Sequence, residues 1–163
     1  MVINIYNRLG VVEQADADEV IVLDHEKRDK GRLKAQAESG TEVRIFLERG
    51  KALKPGELLQ SECGKTVRVE AAVEPVMAAE CDDWLTFSRA CYHLGNRHVK
   101  IQVLEKRLLI TPDHVLQEML EQLGLTVTLT EAPFVPESGA YAKGHSHGHG
   151  HSHNHNHGHH HAH

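Results

Sequence analysis

The sequence predicts an α+β protein. A small antiparallel β domain over residues 1–72 is followed by a βαββαβ unit over residues 73–143 and a disordered histidine-rich tail over residues 144–163. Three observations carry this expectation. The first half consists of short runs rich in β-branched and aliphatic residues, broken by glycine turns. Beyond Val73 the apolar period switches between two and about 3.6, as strands and helices alternate. Finally, 11 of the 15 histidines fall between His145 and His163. Ala162 is the only apolar side chain there, so that segment can build no core.

In the first half, strands are expected at Val2–Tyr6, Glu19–Leu23, Glu42–Leu47 and Thr66–Ala71, separated by turns at Gly10, Gly40, Gly50, Lys54-Pro-Gly56 and Gly64. Short strands with frequent turns suggest a small antiparallel sandwich or barrel. The charged stretch Asp24–Lys34 reads as a solvated loop or edge, with a partner-binding surface as the alternative.

The second half opens with a strand at Val73–Ala79. Asp82 and Asp83 offer an N-cap, and Trp84, Leu85, Ser88, Cys91, Tyr92 and Leu94/Gly95 recur at helical spacing. Gly95-Asn96 should end that helix. His98–Leu104 alternates as a strand, with Val99, Ile101 and Val103 on one face, and Arg107–Ile110 returns across a Glu105-Lys106 turn. Thr111-Pro112 should open a second helix, with Thr as N-cap and Pro at the first helical position. Its apolar stripe is Val115, Leu116, Met119, Leu120 and Leu123, and Gly124 closes it. Leu125–Thr130 is the last strand. The order β-α-β-β-α-β is the ferredoxin-like plan.

Composition removes several function classes. No apolar run approaches the roughly 20 residues that span a bilayer, so no membrane role is expected. The N-terminus lacks the basic region and long apolar stretch of a secretory signal. A net charge of −5 without a basic block argues against nucleic acid as a partner. Cys63, Cys81 and Cys91 form neither a disulfide framework nor a zinc pattern, which suggests a reducing, cytoplasmic setting. Motifs of nucleophilic, phosphate-binding and metalloprotease enzymes are absent. Cys91 and His93, two apart on a helix, do not face each other.

The tail carries the chemistry most directly. Its histidines are His145, His147, His149, His151, His153, His155, His157, His159, His160, His161 and His163. Imidazole is a ligand for nickel, zinc and copper. In extended chain, side chains at i and i+2 lie on one side about 7 Å apart, and the intervening Gly, Ser and Asn keep the backbone pliable. At about three or four ligands per ion, the tail has histidines for roughly three divalent ions. A purification tag is the alternative, but the longest uninterrupted run is only His159–His161. Pliable ligands suit collection and hand-over better than catalysis, which needs a fixed ligand shell.

In the body, His98 opens the expected strand and His114 takes the third position of the second helix. Either is a ligand or a structural histidine on spacing alone. His93, near a helix end, reads as a partly buried or dipole-stabilising residue, and His25 as a solvated one.

Together these segments resemble the urease accessory nickel metallochaperones, the UreE family. In the first half the resemblance rests on Arg28-Asp-Lys-Gly-Arg32, Leu47-Glu-Arg-Gly50, Leu53-Lys-Pro-Gly56 and Val67-Arg-Val-Glu-Ala71. In the second half it rests on Ala90-Cys-Tyr-His-Leu-Gly-Asn-Arg-His98, Asp113-His-Val-Leu-Gln-Glu-Met-Leu120, Gly124-Leu-Thr-Val127, and Gly139-Ala-Tyr141 followed by histidines. Gly95-Asn-Arg-His98 is the specific element. The resemblance implies an N-terminal peptide-binding domain, a ferredoxin-like metal-binding domain, and a homodimer in which two copies of His98 hold one Ni²⁺ on the two-fold axis. It implies apo-urease and other accessory proteins, notably the GTPase, as partners. Some members carry a further histidine two residues before the position of His114; here Pro112 stands there. The expected function is a non-catalytic nickel chaperone for urease assembly, with Zn²⁺ or Cu²⁺ as competitors. A general divalent-metal buffer without a client is the rival, and a metallohydrolase built on His93, His98 and His114 a distant third.

Overall fold

A computed structural model describes residues 1–139, so the eleven tail histidines lie outside the described residues. The α+β class holds. Strands β1 (Val2–Val11), β2 (Glu19–Leu23), β3 (Arg32–Gln36), β4 (Glu42–Phe46), β5 (Glu57–Ser61) and β6 (Thr66–Ala71) form one six-stranded sheet in the order β2-β6-β5-β1-β4-β3. Its core is the inward side of each strand, including Ile3, Ile5, Ile21, Val43, Ile45, Leu59, Val67 and Val69.

The sheet is not purely antiparallel as the turn spacing suggested. β1 pairs parallel with β4, and β2 with β6. Parallel pairing needs a long crossover, and each pair has one, because the partners are separated by other strands. β1 also runs on past Tyr6 to Val11. Register shifts at Ile5/Asn7 and Arg8/Gly10 make bulges, so Gly10 bends a strand instead of ending it.

The charged stretch is structured as well. Asp24 caps a single helical turn, α1 (His25–Arg28), by accepting the Lys27 N–H at 2.9 Å. After it the chain passes through Gly31 into the edge strand β3. A Cβ on Gly31 would lie 2.5 Å from the Leu47 carbonyl oxygen, so only glycine allows this approach. β3 and β5 escape sequence reading because their patterns, Arg-Leu-Lys-Ala-Gln and Glu-Leu-Leu-Gln-Ser, carry no β-branched residue.

Strands β7 (Val73–Glu80), β8 (Gln102–Leu104), β9 (Arg107–Ile110) and β10 (Thr126–Pro133) form a second sheet, order β10-β7-β9-β8, antiparallel throughout. With α2 (Trp84–Asn96) and α3 (His114–Leu123) it makes the expected ferredoxin-like unit. Both helices cover one face, where Phe87, Ala90, Leu94, Leu116 and Leu120 meet Met77, Ala79, Leu108 and Ile110. Each fully buried leucine there contributes roughly 1.5–3 kcal/mol. The other face packs Val76, Ala78 and Leu109 under Phe134, so β7 is covered on both sides.

Two helix readings need correction. The buried side of α2 is Phe87, Ala90 and Leu94, whereas Trp84, Leu85 and Tyr92 are 51%, 58% and 69% exposed. The helix has apolar residues on two sides, and periodicity alone does not say which of them is buried. α3 starts at His114, capped by Asp113, which accepts the Leu116 N–H at 3.0 Å. The carboxylate at Asp113 takes the cap ahead of Thr111. His114 is therefore the first helical residue, Pro112 lies before the cap, and Val115 is 63% exposed, outside the stripe.

Buried polar contacts join the two sheets. The Arg28 guanidinium, 3% exposed, donates to the carbonyls of Leu23 and Phe134. Desolvation lowers its pKa, against the opposing pull of Glu74 and Asp24. His25 is not solvated. Its ring Nδ1 and backbone N–H both bond the Glu74 carboxylate, and its edge packs on Phe134 at 4.9 Å.

Candidate metal centre

The site is built from the C-terminal end of α2. Gly95 and Asn96 stay helical, and φ turns positive only at His98, at 56°. His98 donates its N–H to the Gly95 carbonyl at 3.0 Å, and Val99 donates to the Leu94 carbonyl at 3.1 Å. This pair of bonds is a Schellman motif, with the left-handed residue normally glycine. Val99 packs against the core cluster that contains Leu94, the apolar contact that usually accompanies the motif.

His98 thus sits in a turn, not at the start of a strand; β8 is only Gln102–Leu104. A left-handed conformation costs an L-residue roughly 1–2 kcal/mol, although histidine is among the residues enriched there. The side chain projects from a backbone that glycine would hold more cheaply, and the residue is exposed.

The chain leaving His98 is held without being a strand. Lys100 reaches Asp29 of the first sheet's domain at 3.2 Å. Glu137 donates its N–H to the Ile101 carbonyl at 2.7 Å, and its carboxylate accepts the Val103 N–H at 3.3 Å. Both ends of the His98 turn are therefore anchored, while the imidazole faces solvent.

The other body histidines are apart from it chemically. His93 is exposed in the last turn of α2, edge-on to Tyr92 at 5.4 Å. His114 is exposed on α3, 3.2 Å from Glu118 one turn on. Among the described residues, no group of three or more His, Cys, Asp or Glu side chains converges as a metal site. His93, His98 and His114 accordingly make no metallohydrolase centre within one chain.

All three cysteines are free. Burial pushes the Cys91 thiol up, and the Ser61 hydroxyl pulls that of Cys63 down. What sequence reading missed is the exposed face of Trp84, Leu85 and Tyr92 on the helix that ends at His98. Their helical spacing was the signal, but spacing alone did not say that this side of the helix faces solvent. Among the described residues no helix is long and apolar enough to cross a membrane.

A six-stranded sheet, a ferredoxin-like unit and an exposed, anchored histidine at a helix end define an α+β protein in which, among the described residues, no metal-binding group of three side chains is complete within one chain. Comparisons with known proteins agree with this class. The model for the UreE urease accessory protein N-terminal domain matches residues 5–72, and that for its C-terminal domain matches residues 74–163. The urease accessory protein UreE of a Marinomonas species is 59% identical over 144 residues, covering 88% of this chain and 98% of that one. Those of Alteromonas mediterranea and Psychromonas ingrahamii are 49% and 42% identical, covering 86% and 88% of this chain and 92% and 96% of theirs. The chain belongs to the UreE family of urease accessory proteins.

Proposed function

We propose that the chain carries Ni²⁺ for assembly of the urease active site, with His98 as the transfer ligand and the histidine tail as the collector. The observation that carries this reading is the conformation of His98. A histidine occupies a left-handed helix end, exposed and anchored on both sides, where glycine would cost less. Stability does not account for that choice; a need for the imidazole does.

One histidine is too few for a metal, and a two-fold axis supplies the second. The partner in this reading is another copy, docked through the exposed face of Trp84, Leu85 and Tyr92 on α2. An apolar face on a helix is suited to such contact. His98 and its symmetry mate then share one ion, with further positions left open for exchange. His145, His147, His149, His151, His153, His155, His157, His159, His160, His161 and His163 form the loading reservoir, and His114 is an auxiliary ligand near the helix start. Zn²⁺ and Cu²⁺ compete, since imidazole affinity alone does not favour nickel over copper. The recipients are apo-urease and its other accessory proteins, including the GTPase, in the cytoplasm.

Equilibrium dialysis of a chain lacking residues 144–163 tests the division of labour. Most bound nickel should be lost, leaving about one ion per dimer, and His98→Ala in that background should remove the remainder. Unchanged stoichiometry on truncation would overturn the tail's role; an ion retained without His98 would overturn the body site.

A further inference from the structure

A cleft of about 1150 Å³ lies between the two sheets, and His98 is not among the residues that line it. Its walls are the loop Gly50–Pro55 and the exit segment Val135–Gly139, and its floor includes His25 and Arg28. Small-molecule pockets are about 300–1,000 Å³, so this one has room for several residues of extended chain.

The lining is unusual for an acidic protein. Five fixed cations, Arg8, Arg28, Lys51, Lys54 and Lys100, face three carboxylates, although the whole chain carries −5. Arg8 is paired with Glu57 at 2.7 Å and Lys100 with Asp29 at 3.2 Å. Lys51 and Lys54 are exposed and have no carboxylate within ion-pair distance among the described residues.

The loop that presents these two lysines is built with care. Glu57 is 4% exposed, and holds Arg8 through both carboxylate oxygens while also accepting the Lys54 N–H at 3.0 Å. Arg8 in turn donates to the carbonyls of Lys51 and Ala52 at 2.9 and 3.1 Å. A buried ion pair is weak evidence for stability, because desolvation offsets its attraction. Here its geometric effect is to fix the backbone that carries Lys51 and Lys54.

We propose that this cleft docks an extended acidic segment of a partner protein, with Lys51 and Lys54 binding its carboxylates. Leu9, Val11, Pro55 and Val135 line the same cleft and accept its apolar side chains. That mixture of cationic and apolar lining fits a peptide, in which acidic and apolar side chains alternate, better than the unbroken negative charge of a nucleic acid. Lys100 stands two residues after His98, so a segment held here lies against the chain that leaves the proposed metal ligand. The proposal rests on the carrier reading only for its purpose, since docking needs no metal.

The test uses the full chain, metal-free, with the peptide acetyl-Val-Asp-Leu-Glu-Val-Asp-amide and its Asn/Gln counterpart as probes. Amide shifts in nuclear magnetic resonance locate binding. The acidic peptide should shift residues 50–54, 100 and 135–139 saturably. Neutral peptide, or Lys51→Glu with Lys54→Glu, should weaken binding roughly tenfold or more, and Lys51→Gln with Lys54→Gln should fall between. Both side chains are exposed, so the variants should keep the spectrum of the parent elsewhere. Absence of shifts at millimolar peptide, shifts outside the cleft, indifference to charge reversal, or displacement by a lower concentration of oligothymidylate would each overturn the proposal. None of these results bears on nickel stoichiometry, which stands or falls by dialysis.

Discussion

Helices α2 and α3 end in the same way and with different residues. In α3, Gly124 has φ 104°, donates three residues back to Glu121, and Leu125 donates five back to Leu120. In α2, His98 has φ 56°, donates three back to Gly95, and Val99 donates five back to Leu94. The hydrogen bonds, the following apolar residue and the packing on one core are shared. Only the residue in the left-handed position differs. α3 has the residue that the backbone favours, and α2 has one that the backbone tolerates. In the proposed carrier, the difference separates a stop that serves the fold from a stop that also presents an imidazole to a metal.

Exchanging the two residues separates backbone preference from side-chain role. The largest stability effect should come from Gly124→His. Space is adequate, since a Cβ there meets Thr86 only at 3.7 Å, so the cost is conformational, roughly 1–2 kcal/mol. Urea denaturation measures it, and a neutral result would mean that α3 can end another way. The reverse change, His98→Gly, should raise stability by about 0.5–1 kcal/mol, the left-handed strain relieved less the added entropy of the unfolded chain. A loss of stability would show that the imidazole makes contacts that hold the fold.

The smallest effect concerns the other end of α2. The Thr86 hydroxyl and N–H hold the Asp83 carboxyl below its ordinary range. A lowered folded pKa gives stability that is present above the unfolded value and lost as pH falls through the folded one. Amide-exchange protection at Thr86 should therefore persist down to the ordinary carboxylate value of 3.8 and decline only below it. Decline already at pH 5 would contradict the capping bond.

The two helix ends also show how far the sequence could be read. Gly124 was recognisable as a stop because glycine is the residue that such turns prefer. His98 was not, because Gly95-Asn96 offered an apparent stop three residues earlier and the alternation from His98 to Leu104 imitated a strand. The chain from Val99 to Ile101 is pinned by Lys100, Asp29 and Glu137, contacts distant in sequence that no local pattern carries. For the same reason His25 looked solvated: its partners Glu74 and Phe134 are far along the chain. In the first sheet, local alternation located β2, β4 and β6 but could not reveal that β1 lies parallel to β4. The family was legible in Gly95-Asn-Arg-His98 before the conformation of that element was known.

The proposed carrier role needs the imidazole at residue 98 for transfer and not for folding. It is tested by activating apo-urease at limiting nickel with the parent chain, His98→Gly, and a chain lacking residues 144–163. His98→Gly should be folded, dimeric and at least as stable as the parent, should keep its tail capacity, and should fail to activate. The truncated chain should show a milder defect that added nickel repairs. Full activation by His98→Gly, with activation abolished by truncation, would place the working site in the tail and contradict the account.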